Sequence, residues 1–205
     1  MIPKVLHQIW IGDNKMPPIF LDFRKKWWEL HPDWSYKLWT DSNINELDIP
    51  IDYLNLKVKS SIANVIRLYV VYKFGGVYAD TDMDWLKSLN PLLNCHAFCG
   101  LEADNSLATF FNLPVEKMWY VGNAIFGAEA QHHWLEWQIN KLFEFIKHPA
   151  PWGPRLMTIA ADKFKQDIEI LPKEAFFPYD YENKKMTVFP SSYASHQWSR
   201  SWSRQ

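Results

Sequence analysis

Residues 60–86 read SSIANVIRLYVVYKFGGVYADTDMDWL, and the spacing inside this stretch sets the expected architecture. Ile62, Val65, Ile66, Tyr69 and Val70 recur at the intervals of one helical face, which predicts a helix from about Lys57 to Phe74. Gly75-Gly76 supplies its stop. VYA, residues 77–79, then reads as a short strand that delivers three acids, Asp80, Asp82 and Asp84. In an extended chain residues two apart point to one side, so Asp80 and Asp82 are expected to aim at a common point, with Asp84 following if the strand continues. Converging carboxylates repel unless a cation neutralises them or one takes up a proton. Hard oxygen donors suit Mg²⁺ or Mn²⁺, and Mg²⁺ keeps positions for water and substrate phosphates. The competing reading is a solvated acidic turn with Asp84 capping the next element. On the helix, Asn64 and Arg67 lie three apart and share a face. An unpaired arginine inside so apolar a stretch would be costly. Its fork suits phosphate or carboxylate, or a structural bridge to one of the aspartates.

Outward from this stretch the chain alternates. VLHQIWIG, residues 5–12, reads as a first strand closed by a Gly-Asp-Asn-Lys turn. Residues 19–30 place Phe20, Phe23, Trp27 and Leu30 on one helical face, and His31-Pro32-Asp33 ends that helix. SYKLW, residues 35–39, HAFCG, 96–100, and WYVGNAIFGA, 119–128, read as further strands. Gln131 to Lys147 is expected to be a helix with Trp134 and Trp137 among its core anchors, and Pro154 to Phe164 another with proline in its first turn. Such alternation indicates α/β architecture with a partly parallel sheet, whose ligands bind beyond the carboxyl ends of the strands. The acidic cluster sits at such an end.

Composition narrows the class. A chain of 205 residues fits one domain, and 48% hydrophobic with 17% aromatic residues excludes a disordered or fibrous polymer. A formal net charge of −1 argues against nucleic acid as a partner. The run IRLYVVYKF is too short and polar to span a bilayer, and MIPKVLHQIW lacks the apolar region of a signal peptide, so a cytoplasmic location is expected. FRKKWW, residues 23–28, has the basic and aromatic make-up of an interfacial segment, which adds peripheral contact at the inner membrane face as an expectation. Cys95 and Cys99 flank His96 without further ligands at zinc spacing and read as two reduced thiols.

The 60–86 stretch resembles the hallmark segment of the DXD sugar transferases of glycosyltransferase family 32, and more distantly the core of the large glucosylating toxins. That family's pattern is a helix with Ser/Ala-Asp-x-x-Arg followed by Gly-Gly-x-Tyr-x-Asp-x-Asp. Arg67, Gly75, Gly76, Tyr78, Asp80 and Asp82 match it, while Asn64 stands where the family has aspartate. IPKVLHQIWIG resembles the family's first strand, HPDWSYKLWTD its second, WGPRLMT its Gly-Pro helix start with Trp152 in place of the usual threonine, and YASHQWSRSW its closing His-x-x-x-x-Ser-Trp.

The resemblance implies a single GT-A-like domain over residues 1–205, a mixed, mostly parallel sheet flanked by helices, with a lid-like tail from about 190 to 205. It implies a metal-dependent, retaining transfer of a hexose from a nucleotide-diphosphate sugar to a glycan, lipid-linked or protein acceptor. Asp82 is the expected direct Mn²⁺ or Mg²⁺ ligand, with Asp80 on ribose and metal-bound water and His196 completing the site. Arg67 would brace the aspartates or reach the nucleotide, Asn64 would face the donor sugar, and Tyr78 would join the cofactor-binding set. Trp10 is expected near the base, and Ser201 and Trp202 over the diphosphate. Asn123, Glu102 and Asp104 are further residues that could face a sugar. Two rivals stand beside this reading. One is a phosphohydrolase using Asp80 as nucleophile, although the fifth position of its usual motif is here Asp84. The other is a non-catalytic sugar-binding module with Asn64 as its lesion.

Overall fold

In the computed structural model, which describes residues 1–103, 120–147, 152–180 and 185–199, strand and helix alternate along the chain. In order come β1 (Val5–Ile9), α1 (Pro18–Leu30), β2 (Ser35–Trp39), α2 (Ile51–Leu54), α3 (Lys59–Phe74), β3 (Gly76–Ala79) and β4 (Met83–Trp85). β5 (Ala97–Ala103), β6 (Tyr120–Ala128), α4 (His133–Phe145), α5 (Trp152–Lys163) and β7 (Glu169–Leu171) follow. Short strands β8 (Tyr179–Asp180), β9 (Lys185–Met186) and β10 (Ala194–His196) close the series.

The six-stranded sheet has the order β2-β1-β3-β6-β5-β7. β1 pairs parallel with β2 and β3, and β5 with β7, whereas β6 runs against both β3 and β5. Five of its strands therefore point one way, and their carboxyl ends share an edge with the amino end of β6. Side chains alternate across the sheet as the pleat requires. Tyr78 enters a core with Val65, Ile66, Trp134 and Leu156, while Val77 and Ala79 enter a second core with Phe20, Trp27, Phe176 and Phe177.

α3 is held by burial, not by caps. No side chain caps its amino end at Val58, yet Val65, Ile66, Leu68, Val70 and Val71 are buried, each contributing about 1.5–3 kcal/mol. At its carboxyl end Gly75 and Gly76 take φ values of +67° and +97°. A Cβ at Gly76 would lie 2.4 Å from Val5 Cγ1, so this turn needs glycine for both conformation and space.

The expected element boundaries shift by a few residues for local reasons. The first strand stops at Ile9 because Gly12 turns at φ +90° and sends its amide to Asp41 Oδ2 at 2.7 Å. The helix expected from Gln131 begins at His133, since Gln131 adopts φ +58° and His132 caps the helix by accepting the Trp134 amide at 3.2 Å. Trp134 is fully buried and Trp137 packs at the rim of the same core. In FRKKWW, Phe23 and Trp27 face the core and Lys26 pairs with Asp84 at 2.6 Å, which leaves Lys25 and Trp28 to solvent. Among the described residues no helix is long and apolar enough to cross a membrane.

Candidate active site

The acidic cluster forms where β3 ends. The Asp80 amide donates to the Ala124 carbonyl of β6 at 2.7 Å, and Gln8 Nε2 on β1 donates to the Asp80 carbonyl at 3.1 Å. Beyond Asp80 the chain does not stay extended, as the spacing suggested. It turns, with the Met83 amide donating to the Asp80 carbonyl at 3.3 Å, and re-enters β structure as β4. Asp80 and Asp82 converge through this turn. Asp84, one residue into β4, bonds Lys26 instead and does not join them.

The third member comes from the far end of the chain. β10 pairs antiparallel with β4, placing His196 opposite Met83. The Gln197 amide donates to the Asp82 carbonyl at 3.1 Å and the Ser199 amide to Asp82 Oδ2 at 2.8 Å. His196 Nε2 lies 3.2 Å from Asp82 Oδ1 and 3.7 Å from Asp80 Oδ2. Asp80, Asp82 and His196 thus each offer one ligand atom within 4.8 Å of the others, the only such group of three among the described residues. Two carboxylates suit Mn²⁺ or Mg²⁺, and of the two an imidazole favours Mn²⁺.

Electrostatics keep the acids ionised. Burial alone would raise the Asp82 carboxyl, but the His196 charge and hydrogen bond and the Ser199 amide overcome it and hold it at about 2. Burial alone would lower His196; Asp82, then Asp80 and Glu102, overcome it and raise it. The buried Arg67 lies 3.4 Å from Asp80 Oδ1 through Nη2, and donates through Nη1 to the Asn123 carbonyl at 2.5 Å. Its guanidinium sits 4.7 Å from the centre of the Tyr78 ring, whose hydroxyl donates to Asp80 Oδ1 at 2.5 Å. Burial pushes that phenol well above its ordinary value, so Tyr78 acts here as a hydrogen-bond donor.

Asn64 accepts from Asn123 Nδ2 at 2.9 Å, which links α3 to β6 one turn from Arg67. Gly153 of α5 closes over this amide pair so tightly that a Cβ would lie 2.3 Å from Asn123 Nδ2. Trp152 is buried in the core and donates to Ser61 at 3.3 Å. Trp10, just past β1, donates to the Asn14 carbonyl at 2.7 Å and meets Phe20 edge-on at 6.0 Å. It lines a cleft of about 410 Å³ with Asn14, Lys15, Ile19 and Ser199. Because the Ser199 amide is bound to Asp82, this cleft opens beside the acids. Ser201, Trp202 and Asp104 lie outside the described residues.

Sequence reasoning missed Gln8, the Ser199 amide, and the Phe177 and Trp198 rings at 5.9 and 4.5 Å from His196. Gln8 carried a signal, a polar residue inside the apolar run VLHQIWIG that is buried and also accepts from Tyr36 at 3.0 Å. An amide contact such as that of Ser199 leaves none.

Comparison with known proteins agrees with the resemblance read from the sequence. Residues 19–98 match the family model described as glycosyltransferase sugar-binding region containing DXD motif. Inositol phosphoceramide mannosyltransferase 3 of Schizosaccharomyces pombe is 36% identical over 103 residues, 47% of this chain and 29% of the relative. Inositol phosphoceramide mannosyltransferase 1 of the same yeast is 26% identical across 98% of this chain and 62% of its own length. Lactosylceramide 4-alpha-galactosyltransferase of Rattus norvegicus is 24% identical, covering 68% of this chain and 41% of that protein. The chain thus spans less than two thirds of these relatives. Among solved structures, PaToxG glycosyltransferase superposes with a TM-score of 0.60 at 16% identity, covering 80% of this chain and 70% of its own. The galactosyltransferase LgtC superposes with a TM-score of 0.55 at 15% identity, covering 94% and 86%. The fold is of the GT-A type, with the mixed, mostly parallel sheet expected.

Proposed function

We propose that this chain, which carries a DXD glycosyltransferase sugar-binding region at residues 19–98, moves a hexose from a nucleotide-diphosphate sugar to an acceptor hydroxyl, with retention at the anomeric carbon. The observation that carries the reading is the Asp80–Asp82–His196 group with a nucleotide-sized cleft opening at its side. Asp82, Asp80 and His196 would hold Mn²⁺ or Mg²⁺. Such a cation supplies positive charge where the departing diphosphate becomes more negative.

The rest is the work of the chain's own groups. Arg67 and Tyr78 fix Asp80 from one side, so its second oxygen faces His196. The Ser199 amide fixes Asp82 from the other. These contacts are made before substrate arrives, and pre-placed groups need not reorganise during the reaction. Trp10 offers an aromatic face to the base, and Lys15 a charge at the cleft wall. The tail from about residue 190 to 205 acts as the lid of a single domain over residues 1–205. By the family resemblance, Ser201 and Trp202 would cover the diphosphate and keep out water, whose attack on the donor competes with transfer. Attack comes from the face the diphosphate leaves, without a covalent intermediate.

The acceptor is a glycan, lipid-linked or protein hydroxyl, met by a cytoplasmic enzyme at a membrane surface. Two observations support a lipid-linked acceptor. Several relatives carry ceramide lipids in their names, and α1 exposes Leu21, Lys25 and Trp28 along one face.

The test is a panel of uridine- and guanosine-diphosphate sugars assayed with Mn²⁺ for release of nucleoside diphosphate. At least one is expected to turn over, and binding of none by calorimetry sinks the reading. Trp10→Ala is expected to weaken binding of the nucleoside diphosphate about tenfold, the effect of losing one base-stacking ring. Unchanged affinity would remove Trp10 from the base site.

A further inference from the structure

We infer that Glu102 receives the acceptor, its carboxylate accepting a hydrogen bond from an acceptor sugar hydroxyl, and this rests on the transferase reading above. The order of strands along the sheet edge argues it. Trp10 follows β1, the metal-binding acids follow β3, Asn123 lies at the amino end of β6, and Glu102 lies at the carboxyl end of β5. Neighbouring strands are spaced by about 4.8 Å, so from the base site to Glu102 is three steps, roughly 14 Å. A nucleotide sugar laid along that edge places its base at β1, its diphosphate at β3 and its hexose near β6. The next group along the line is Glu102, and what reaches it is the molecule that attacks the hexose.

The backbone around Glu102 is shaped to hold a carboxylate there. The β5–β6 register shifts between Cys99 and Leu101 and again between Leu101 and Ala103, an irregularity of the kind that re-aims side chains beside active sites. Opposite stands Gly122, where a Cβ would lie 2.6 Å from Glu102 Oε2 and 2.5 Å from Phe177 Cζ. The absent side chain is what makes room for the acid. Glu102 is half-buried, which desolvates its carboxyl without sealing it off, and lies within electrostatic reach of His196, Asp80, Lys173 and Arg67. Phe177 packs edge-on to His196, and the half-buried Trp198 lies beyond it at 6.1 Å from Phe177. A carboxylate beside the Phe177 ring, both lying against Gly122, is suited to a sugar, which offers hydroxyls on its edges and C–H groups on its faces. Glu102 makes and breaks no covalent bond in this role; it orients the hydroxyl.

The experiment, run at about pH 8 where the Glu102 carboxyl raised to about 7 is ionised, measures partition between transfer and hydrolysis, using the donor found by the Mn²⁺ panel and free hexoses and alkyl glycosides as acceptors. In Glu102→Gln the transfer-to-hydrolysis ratio is expected to fall about tenfold or more, the effect of losing one hydrogen bond to a charged group. The KM for acceptor should rise more than the KM for donor, and Glu102→Asp should recover part of the ratio. Gly122→Ala, which keeps the acid but displaces it, should lower the ratio in the same direction. If Glu102→Gln lowers hydrolysis and transfer in equal proportion, the residue serves only the charge balance of His196 and Arg67, and the inference fails. A glycosyl adduct on Glu102 seen by mass spectrometry overturns it as well. If the unaltered protein neither hydrolyses nor transfers from any donor in the panel, the transferase reading has failed and takes this inference with it.

Discussion

Asp82→Asn is expected to remove Mn²⁺ binding and to lower donor turnover about 10²–10³-fold, the range for losing one group aimed at developing charge. The substitution keeps the shape of the side chain. Its amide oxygen can still accept the Ser199 N–H that Asp82 Oδ2 accepts at 2.8 Å, so the tail stays docked. What disappears is one negative charge facing His196 at 3.2 Å. Asp84→Asn makes the same change of charge two residues along, where the carboxylate only bonds Lys26 on the protein surface. That pair is worth little, and donor turnover in Asp84→Asn should match the parent. Calorimetric titration with Mn²⁺ and the nucleoside-diphosphate release assay measure both effects. Equal losses in the two variants, or metal-dependent turnover persisting in Asp82→Asn, would remove Asp82 from the centre of the site.

That contrast was only half legible in the sequence. The helix over residues 57–74 and the strand after Gly75-Gly76 were readable because burial stamps its period on apolar residues, and Arg67 stood out as a charge inside that pattern. The turn that brings Asp80 and Asp82 together could not be read from spacing, since alternation in an extended strand would have grouped Asp84 with them. The Met83 amide closes the turn on the Asp80 carbonyl, and β4 beyond it pairs with β10, a contact across more than a hundred residues in which His196 meets Met83. Local pattern is blind to such a partner, and only the family resemblance pointed to His196. The direction of β6 was equally hidden. WYVGNAIFGA is apolar on both faces but for Asn123 whichever way it runs, and its reversal is what sets Asn123 beside Arg67. Gln8 was obscure for a different reason, a polar residue whose meaning depends on the carbonyl opposite, whereas Glu102 was legible as a residue that could face a sugar but not the glycine opposite it that makes room for its acid.

Outside the site, the stability of the fold should fall steeply as pH drops from 6.5 to 4.5, and three buried histidines are the reason. Burial holds His7, His31 and His132 each at about 4, well below the ordinary 6.5. Each ring is committed as a hydrogen-bond acceptor. Trp39 Nε1 donates to His7 Nδ1 at 3.2 Å, the Leu89 amide to His31 Nε2 at 2.8 Å, and the Trp134 amide to His132 Nδ1 at 3.2 Å. The opposite nitrogens of His7 and His31 then donate to the Gly75 and Trp27 carbonyls. Protonation would set N–H against N–H in an apolar core, with His31 stacked on Trp27 at 3.6 Å. Below 6.5 the unfolded chain takes up three protons that the folded chain refuses until about 4. Glu102 works in the other direction. Burial raises it to about 7, so across most of this window the folded chain holds one proton that the unfolded chain lacks. His196 is raised and titrates above 6.5, and Asp82 is lowered and titrates below 3.8, so neither changes the balance here. The net difference is two protons, a slope of roughly 2.7 kcal/mol per pH unit at its steepest. Over two units that is at most about 5 kcal/mol, comparable with the whole stability of a small domain. Urea unfolding followed by tryptophan fluorescence from pH 7.5 to 4.5 measures it. His31→Gln, which can still accept the Leu89 amide, should flatten the slope by about one proton. A midpoint independent of pH across that range would mean that these rings do not refuse the proton as their hydrogen bonds require.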